Sequence, residues 1–240
     1  MDLSIIIPVL NESKKIKNDI LAASEFLLKN KIKGEIIFVD DGSSDDTAEV
    51  ARNTEVASGV SLQVLQYSDH RGKGFAVKQG IKKSVGKFVL FVDSGLCVSF
   101  SHIIIGLKLL QENKCDIAHG SRFLKESKII RPHLLSRRIS SALFRSIFKT
   151  LLKLPPELTD TQCGFKIYKG DVARQLYENC ITDGFMFDIE IIMRALKKNY
   201  QIREFPVEWK ADLDSRLSQV KMPVKMLTEL IKIKHAIKKE

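Results

Sequence analysis

The sequence predicts an open, mostly parallel α/β sheet, on three observations. Apolar runs of strand length alternate with helix-patterned segments through the first 120 residues, the pattern of parallel strands flanked by helices. The runs are continuous and β-branched rather than alternating, as in strands buried on both faces. Acidic residues stand where two of the runs end, at Asp40-Asp41 and at Asp93. Ligands in such sheets sit beyond the carboxyl ends of the strands.

Each element follows from its local pattern. Leu3–Val9 is apolar apart from Ser4, rich in β-branched residues, and reads as the first strand. Residues 13–30 follow at helical spacing, with Ile16, Ile20, Ala23 and Leu27 on one face. Residues 35–39 form the next strand, and Ser44 or Asp45 is placed to cap a helix running to about residue 57. A short strand at 62–65, a helix at 74–84, a strand at 87–92, a helix at 101–112 and a fifth strand at 115–119 complete this half. Ser99 or Ser101 caps the last of these helices. Past Arg122 the pattern changes. Residues 134–154 read as a basic amphipathic helix stopped by Pro155-Pro156. Residues 160–168 pass from a polar loop into a strand. Helices near 172–178 and 187–198 precede a strand at 202–207, and 222–239 reads as a second basic amphipathic helix.

Composition narrows the class. The 240 residues suffice for one large domain, and 44% hydrophobic with 28% charged residues excludes a disordered or collagen-like chain. No apolar run reaches transmembrane length, and the N-terminus has no basic leader, so a chain without span or secretory signal is expected. The net charge of +10 is concentrated. Residues 122–153 carry nine Lys/Arg and one acid, and residues 219–240 carry six Lys and two Glu. Such segments suit an anionic partner: a membrane surface, a phosphorylated ligand or nucleic acid. The basic segments lack the interleaved aromatics of a single-strand binder, so nucleic acid is not expected. Cys97, Cys115, Cys163 and Cys180 show no zinc-type spacing and read as unpaired thiols of a reduced, cytoplasmic chain.

Several nucleotide and hydrolase signatures are missing. Gly72-Lys73-Gly74 lacks the third glycine of a dinucleotide fingerprint, and there is no P-loop, H-E-x-x-H or G-x-S-x-G. What remains is the pair of acidic strand ends with a basic Arg71-Gly72-Lys73-Gly74 loop between them. Acids so placed bind a ribose hydroxyl, a base edge, or a metal on a diphosphate.

The residues then resemble a known family. Ile5-Ile6-Ile7-Pro8-Val9-Leu10-Asn11-Glu12, Val39-Asp40-Asp41-Gly42-Ser43, Arg71-Gly72-Lys73-Gly74 and Gly120-Ser121-Arg122 resemble the family 2 inverting glycosyltransferases. Asp160-Thr161-Gln162-Cys163-Gly164-Phe165-Lys166, Gly184-Phe185-Met186-Phe187-Asp188-Ile189-Glu190 and Pro206-Val207-Glu208-Trp209 narrow the resemblance to dolichyl-phosphate (polyprenyl-phosphate) β-glucosyltransferases. It implies a GT-A fold with C-terminal amphipathic helices. A nucleotide-sugar half at 1–122, an acceptor half at 123–215 and a basic helical extension at 216–240 are expected. The implied reaction moves a hexose, glucose favoured, from UDP-glucose or another nucleotide diphosphate sugar to a polyprenyl or dolichyl phosphate, peripherally at the cytoplasmic face of an anionic membrane.

Site residues follow from the same resemblance. Pro8, Leu10, Glu12, Asp40, Asp41, Lys73 and Asp93 would bind the nucleotide sugar. Arg122, Arg137 and Ser141 would bind the acceptor phosphate. Asp93, as the diphosphate-metal ligand, and Asp160, as base or orienter of the acceptor, would be the catalytic residues. The implied cofactor is Mg²⁺ or Mn²⁺ on Asp93. The family's Asp-x-Asp reads Asp93-Ser94-Gly95 here, so the second carboxylate is replaced by Gly95. Transfer to a soluble acceptor and non-catalytic binding of a nucleotide sugar are the competing readings.

Overall fold

The computed structural model describes residues 1–132, 150–152, 154–212 and 222–239. Its elements run β1 Leu3–Val9, α1 Ile16–Lys29, β2 Gly34–Asp40, α2 Thr47–Arg52, β3 Ser61–Gln66, α3 Lys73–Lys83 and β4 Phe88–Val92. A short 3₁₀ turn at Phe100–His102 leads into α4 Ile103–Gln111. Then come β5 Ile117–Ser121, β6 Lys128–Arg131, β7 Phe165–Lys169, α5 Gly170–Glu178, α6 Phe187–Lys197, β8 Ile202–Pro206, β9 Glu208–Lys210 and α7 Met222–Lys239.

Seven strands form one sheet in the order β3-β2-β1-β4-β7-β5-β8. All neighbours are parallel except β7, which runs antiparallel to both β4 and β5. The continuous apolar runs are explained by burial on both faces. On β1, Ile5 and Ile7 pack with Ile16, Ile20 and Leu27 of α1 and with Ile103 and Leu107 of α4. Ile6, one residue out of phase, packs with Val77 and Ile81 of α3 and with Val172 of α5 and Ile191 of α6. This is the period-two consequence of the strand pleat. The order reverses between β1 and β4, so the loops after β1, β2 and β4 meet at a topological switch point.

Several expectations shift. The second helix is shorter than the expected 44–57. Asp45 does bind its first turn, accepting from the backbone N–H of Thr47 at 3.1 Å. The helix stops at Arg52, and the Thr54 hydroxyl turns back onto the Val50 carbonyl at 2.7 Å. The fifth strand begins at Ile117 rather than Cys115, because Asp116 is occupied outside the ladder by Lys169 and by the backbone N–H of Gln201. Two short strands, β6 and β9, were not expected and pair in parallel as a separate ribbon. The sequence places no apolar alternation there that could announce them. The expected basic helix at 134–154 lies almost wholly outside the described residues. The second basic helix is present as α7, but its apolar side is already used: Leu230, Ile233 and Ile237 are buried against Met186 and Ile189. No helix among the described residues is long and apolar enough to cross a membrane.

Candidate active site

The donor side begins with two loops locked together. Pro8 lies buried in β1, opposite Val39 of β2, and Leu10 stands half-buried just past the strand. Asn11 takes a left-handed backbone (φ 53°). Its N–H donates to Ser43 Oγ at 2.7 Å, and its Oδ1 accepts the Ser44 N–H at 2.7 Å. The Glu12 N–H donates to Thr47 Oγ1 at 2.8 Å, and its carboxylate lies 3.4 Å from Lys15 Nζ. Asp40 ends β2 and is fully buried. Its Oδ1 accepts from the Ser43 N–H at 3.0 Å, while its Oδ2 is buried with no hydrogen-bond partner. An unpaired buried carboxylate oxygen is costly unless something donates to it.

Asp41 is engaged within the chain through both oxygens. Its two oxygens accept the backbone N–H groups of Arg71 (2.9 Å) and Gly72 (2.8 Å), and His70 Nδ1 lies 2.8 Å away. The carboxylate therefore anchors the basic loop that opens α3.

That loop delivers Lys73. Its Nζ lies 2.5 Å from Asp93 Oδ1, over the rings of Phe91 (5.3 Å) and Phe185 (5.9 Å). Burial works against the ammonium charge, but Asp93 and Asp188 outweigh it and raise the lysine above its usual range. Asp93 is seated by Gly164. The Asp93 N–H donates to the Gly164 carbonyl at 2.9 Å, and a Cβ at 164 would lie 2.1 Å from the Asp93 carboxylate. Only glycine permits that approach.

The strand end past Asp93 is where the expected metal ion would sit. Gly95 has φ 84°, and a Cβ there would point at Asp212 Oδ2, 3.3 Å away. Asp212 is in turn held by Lys15 Nζ at 2.8 and 2.9 Å. Burial pushes the Cys97 thiol up to about 12, so it stays a neutral, soft group. Among the described residues no three His, Cys, Asp or Glu side chains form a metal-holding group. Asp93 already carries the Lys73 ammonium and Asp212 that of Lys15, so a divalent ion at this strand end would draw further oxygens from the diphosphate that it binds.

The acceptor side is an arginine on a carboxylate. Arg122 Nε lies 2.7 Å from Asp160 Oδ2, Nη2 lies 2.8 Å from Oδ1, and the Arg122 N–H donates to Oδ2 at 3.0 Å. Burial raises the Asp160 carboxyl, but the Arg122 guanidinium outweighs that and holds it below the usual range. Glu204 fixes the segment by accepting the Thr159 and Asp160 N–H groups, both at 2.7 Å. The guanidinium also stands over the rings of Trp209 (5.3 Å) and Phe123 (5.6 Å). Asp160 is thus an anion held in place by the Arg122 guanidinium. Arg137 and Ser141 lie outside the described residues.

Sequence reasoning missed four supports. Asp19 of α1 accepts the N–H groups of Gly95 (3.0 Å) and Leu96 (2.9 Å), and burial pushes its carboxyl up to about 6. Lys166 and Asp188 form a buried pair at 2.6 Å beneath Phe91. Glu204 and Lys15 complete the set. Asp188 and Lys166 stood inside recognised motifs. Nothing local distinguishes Asp19, Lys15 or Glu204 from surface charges, because their partners are remote in sequence.

Comparison with known proteins bears on family and fold. The family model described as glycosyl transferase family 2 matches residues 4–177. A dolichyl-phosphate β-glucosyltransferase of Dictyostelium discoideum is 31% identical over 97% of this chain and 73% of its own length. A protein of the same name from Saccharomyces cerevisiae is 28% identical over 98% of this chain and 74% of its own. Among solved structures, glucosyl-3-phosphoglycerate synthase of Mycobacterium tuberculosis, in complex with Mn²⁺, UDP and glucosyl-3-phosphoglycerate, superposes with a TM-score of 0.71. It is 15% identical, over 97% of this chain and 79% of that one, a likeness of fold. The doubly wound sheet is the GT-A fold, and with the family model covering most of its length the chain belongs to glycosyl transferase family 2.

Proposed function

We propose that the chain transfers glucose from UDP-glucose to a polyprenyl or dolichyl phosphate, with inversion, working peripherally at the cytoplasmic face of a membrane. One observation carries the reading. Asp93, just past β4, holds Lys73 at 2.5 Å and donates its N–H to Gly164, four residues beyond the Asp160 that holds Arg122 at 2.7 Å. A cation for a donor diphosphate and a cation for an acceptor phosphate thus flank one strand end. The named activity of the relatives supports the choice of sugar and lipid.

On this reading the Pro8–Glu12 and Asp40 loops hold the nucleotide, with a ligand N–H or O–H donating to Asp40 Oδ2. Lys73 lies against the diphosphate. The acceptor phosphate, held at Arg122, attacks the anomeric carbon from the face opposite the diphosphate. The new C–O bond forms as the bond to the diphosphate breaks, and UDP leaves. A phosphate acceptor is already ionised at neutral pH, so the step needs orientation more than a base. Asp160 supplies it by fixing the guanidinium plane, and its two contacts occupy Nε and Nη2.

The test is a panel of UDP- and GDP-sugars incubated with polyprenyl phosphate in detergent and, separately, with water-soluble phosphate acceptors. A glucolipid formed from UDP-glucose is expected. Product only on soluble acceptors, or none with any donor, rejects the reading.

A further inference from the structure

The β6–β9 ribbon stands apart from the main sheet and carries two exposed isoleucines, Ile129 and Ile130, that nothing in the donor or acceptor chemistry uses. All four residues of β6, Lys128-Ile129-Ile130-Arg131, are exposed. Ile129 pairs with Trp209 and Arg131 with Lys210, so Ile130 is the extra residue of a β-bulge. A bulge re-aims the side chain that it leaves out of the ladder. Ile130 is 66% exposed, Ile129 43% and the nearby Phe123 42%. Bare isoleucines on a short edge strand are an aggregation liability unless a partner covers them.

The surroundings indicate which partner. Lys125, Lys128, Arg131 and Lys210 are exposed on or beside the same ribbon, against the two acids Glu126 and Glu208. Lys128 pairs with Glu208 at 3.0 Å. The strand opens the 122–153 segment, which holds nine Lys/Arg to one acid. Apolar side chains ringed by cations match an anionic bilayer surface, where the side chains enter the acyl boundary and the cations meet the headgroups. The ribbon is also continuous with the acceptor cation, because Phe123 and Trp209 are the two rings under the Arg122 guanidinium. A polyprenyl phosphate reaches Arg122 with its tail still in the bilayer only if the residues around Arg122 lie at headgroup level.

We infer that the β6–β9 ribbon is the membrane-docking face of the chain, with Ile130 and Phe123 inserted beside the mouth of the acceptor site. The inference rests on the lipid-phosphate reading above for its choice of partner. It moves the membrane contact away from α7, whose apolar side is spent on α6.

The test uses vesicles of three parts phosphatidylcholine to one part phosphatidylglycerol, without polyprenyl phosphate. Binding is read by co-sedimentation and by quenching of Trp209, the single tryptophan, with brominated acyl chains. The wild-type chain should bind and be quenched. Ile130→Asp should lose about tenfold or more in partitioning, since the isoleucine that enters the bilayer is exchanged for a charge. Ile231→Asp, at an isoleucine 63% exposed on α7, should leave binding unchanged. Circular dichroism melts establish that both variants are folded. Wild-type binding by Ile130→Asp, equal losses in both variants, or no vesicle binding by the wild type overturns the inference. So does a wild-type dimer that Ile130→Asp dissociates, which would make the ribbon an interface between copies. Vesicle binding lost in Ile130→Asp alone, with no glucolipid made by the wild type in detergent, retains the docking face and rejects the glycosyl-transfer reading.

Discussion

Arg122 and Asp160 show how much one pair of side chains can decide. The carboxylate is 1% exposed and meets its partner through two parallel contacts, a geometry that fixes the guanidinium plane. Asp160→Asn should raise the KM for lipid phosphate about tenfold or more, because the arginine loses its orienter. The pH profile of kcat should keep its shape, whereas a lost general base would remove its acidic limb. Leaving Arg122 unpaired should also cost about 3 kcal/mol, read from urea melts. Asp19 gives a second residue-scale prediction. Burial raises its carboxyl from 3.8 to about 6, so between those values the native state holds the proton that the unfolded chain has released. Its contribution to stability is therefore present at low pH and falls as pH rises from about 4 to 6, by about 3 kcal/mol. Asp19→Asn should accordingly gain on the wild type at pH 7 relative to pH 4.5 in paired urea melts, and a pH-independent difference would contradict the assignment. Gly95 adds a third. Gly95→Asp forces a side chain onto a φ of 84° and aims its Cβ at Asp212, 3.3 Å away. A loss of about 1–3 kcal/mol is expected, smaller in an Asp212→Ala background where the like charge is gone.

Among the elements, α7 is the one whose role the fold changed. Read as a sequence it is a basic amphipathic helix, equally suited to a membrane surface or to the protein. Its Leu230, Ile233 and Ile237 close over α6, and Lys197 Nζ binds the Ile237 carbonyl at its far end. Ile233 is fully buried, so Ile233→Ala should destabilise the whole chain by about 2–4 kcal/mol in urea. It should leave vesicle partitioning of the folded protein unchanged. The first-half elements were legible because each announces itself locally: β1, β2 and β4 by continuous β-branched runs, and α1 and α3 by spacing. The β6–β9 ribbon was not, because strands of four and three residues, exposed throughout except at Trp209, are too short to show a periodicity.

Across the whole molecule, charge and topology work at different ranges. The net +10 acts over a Debye length, about 8 Å at physiological salt and about 3 Å at 1 M. Binding to anionic vesicles should therefore weaken steeply between low salt and 1 M, leaving a residue carried by Ile130 and Phe123. Salt-independent binding would assign the whole affinity to apolar contact. Topology sets the site itself. The antiparallel β7 enters the sheet between β4 and β5. It brings Gly164 against Asp93 and carries Lys166 to Asp188. Arg122 at the end of β5 and Asp160 ahead of β7 meet across 38 positions of chain.

The sequence by itself determined the sheet's parallel half, the acidic strand ends at Asp40, Asp41 and Asp93, the basic loop at Lys73 and the family. Each is written in contiguous residues: hydrophobic period, turn chemistry and short motifs. Only the tertiary structure decided that Asp41 serves its own loop and that Asp160 is spoken for by Arg122. It also decided that Lys73 and Lys15 stand on the carboxylates nearest Gly95, that α7 is core, and that Ile130 is bare. These depend on which distant groups meet, and a charge or an isoleucine carries the same local signal whether its partner is solvent, a remote side chain or a lipid.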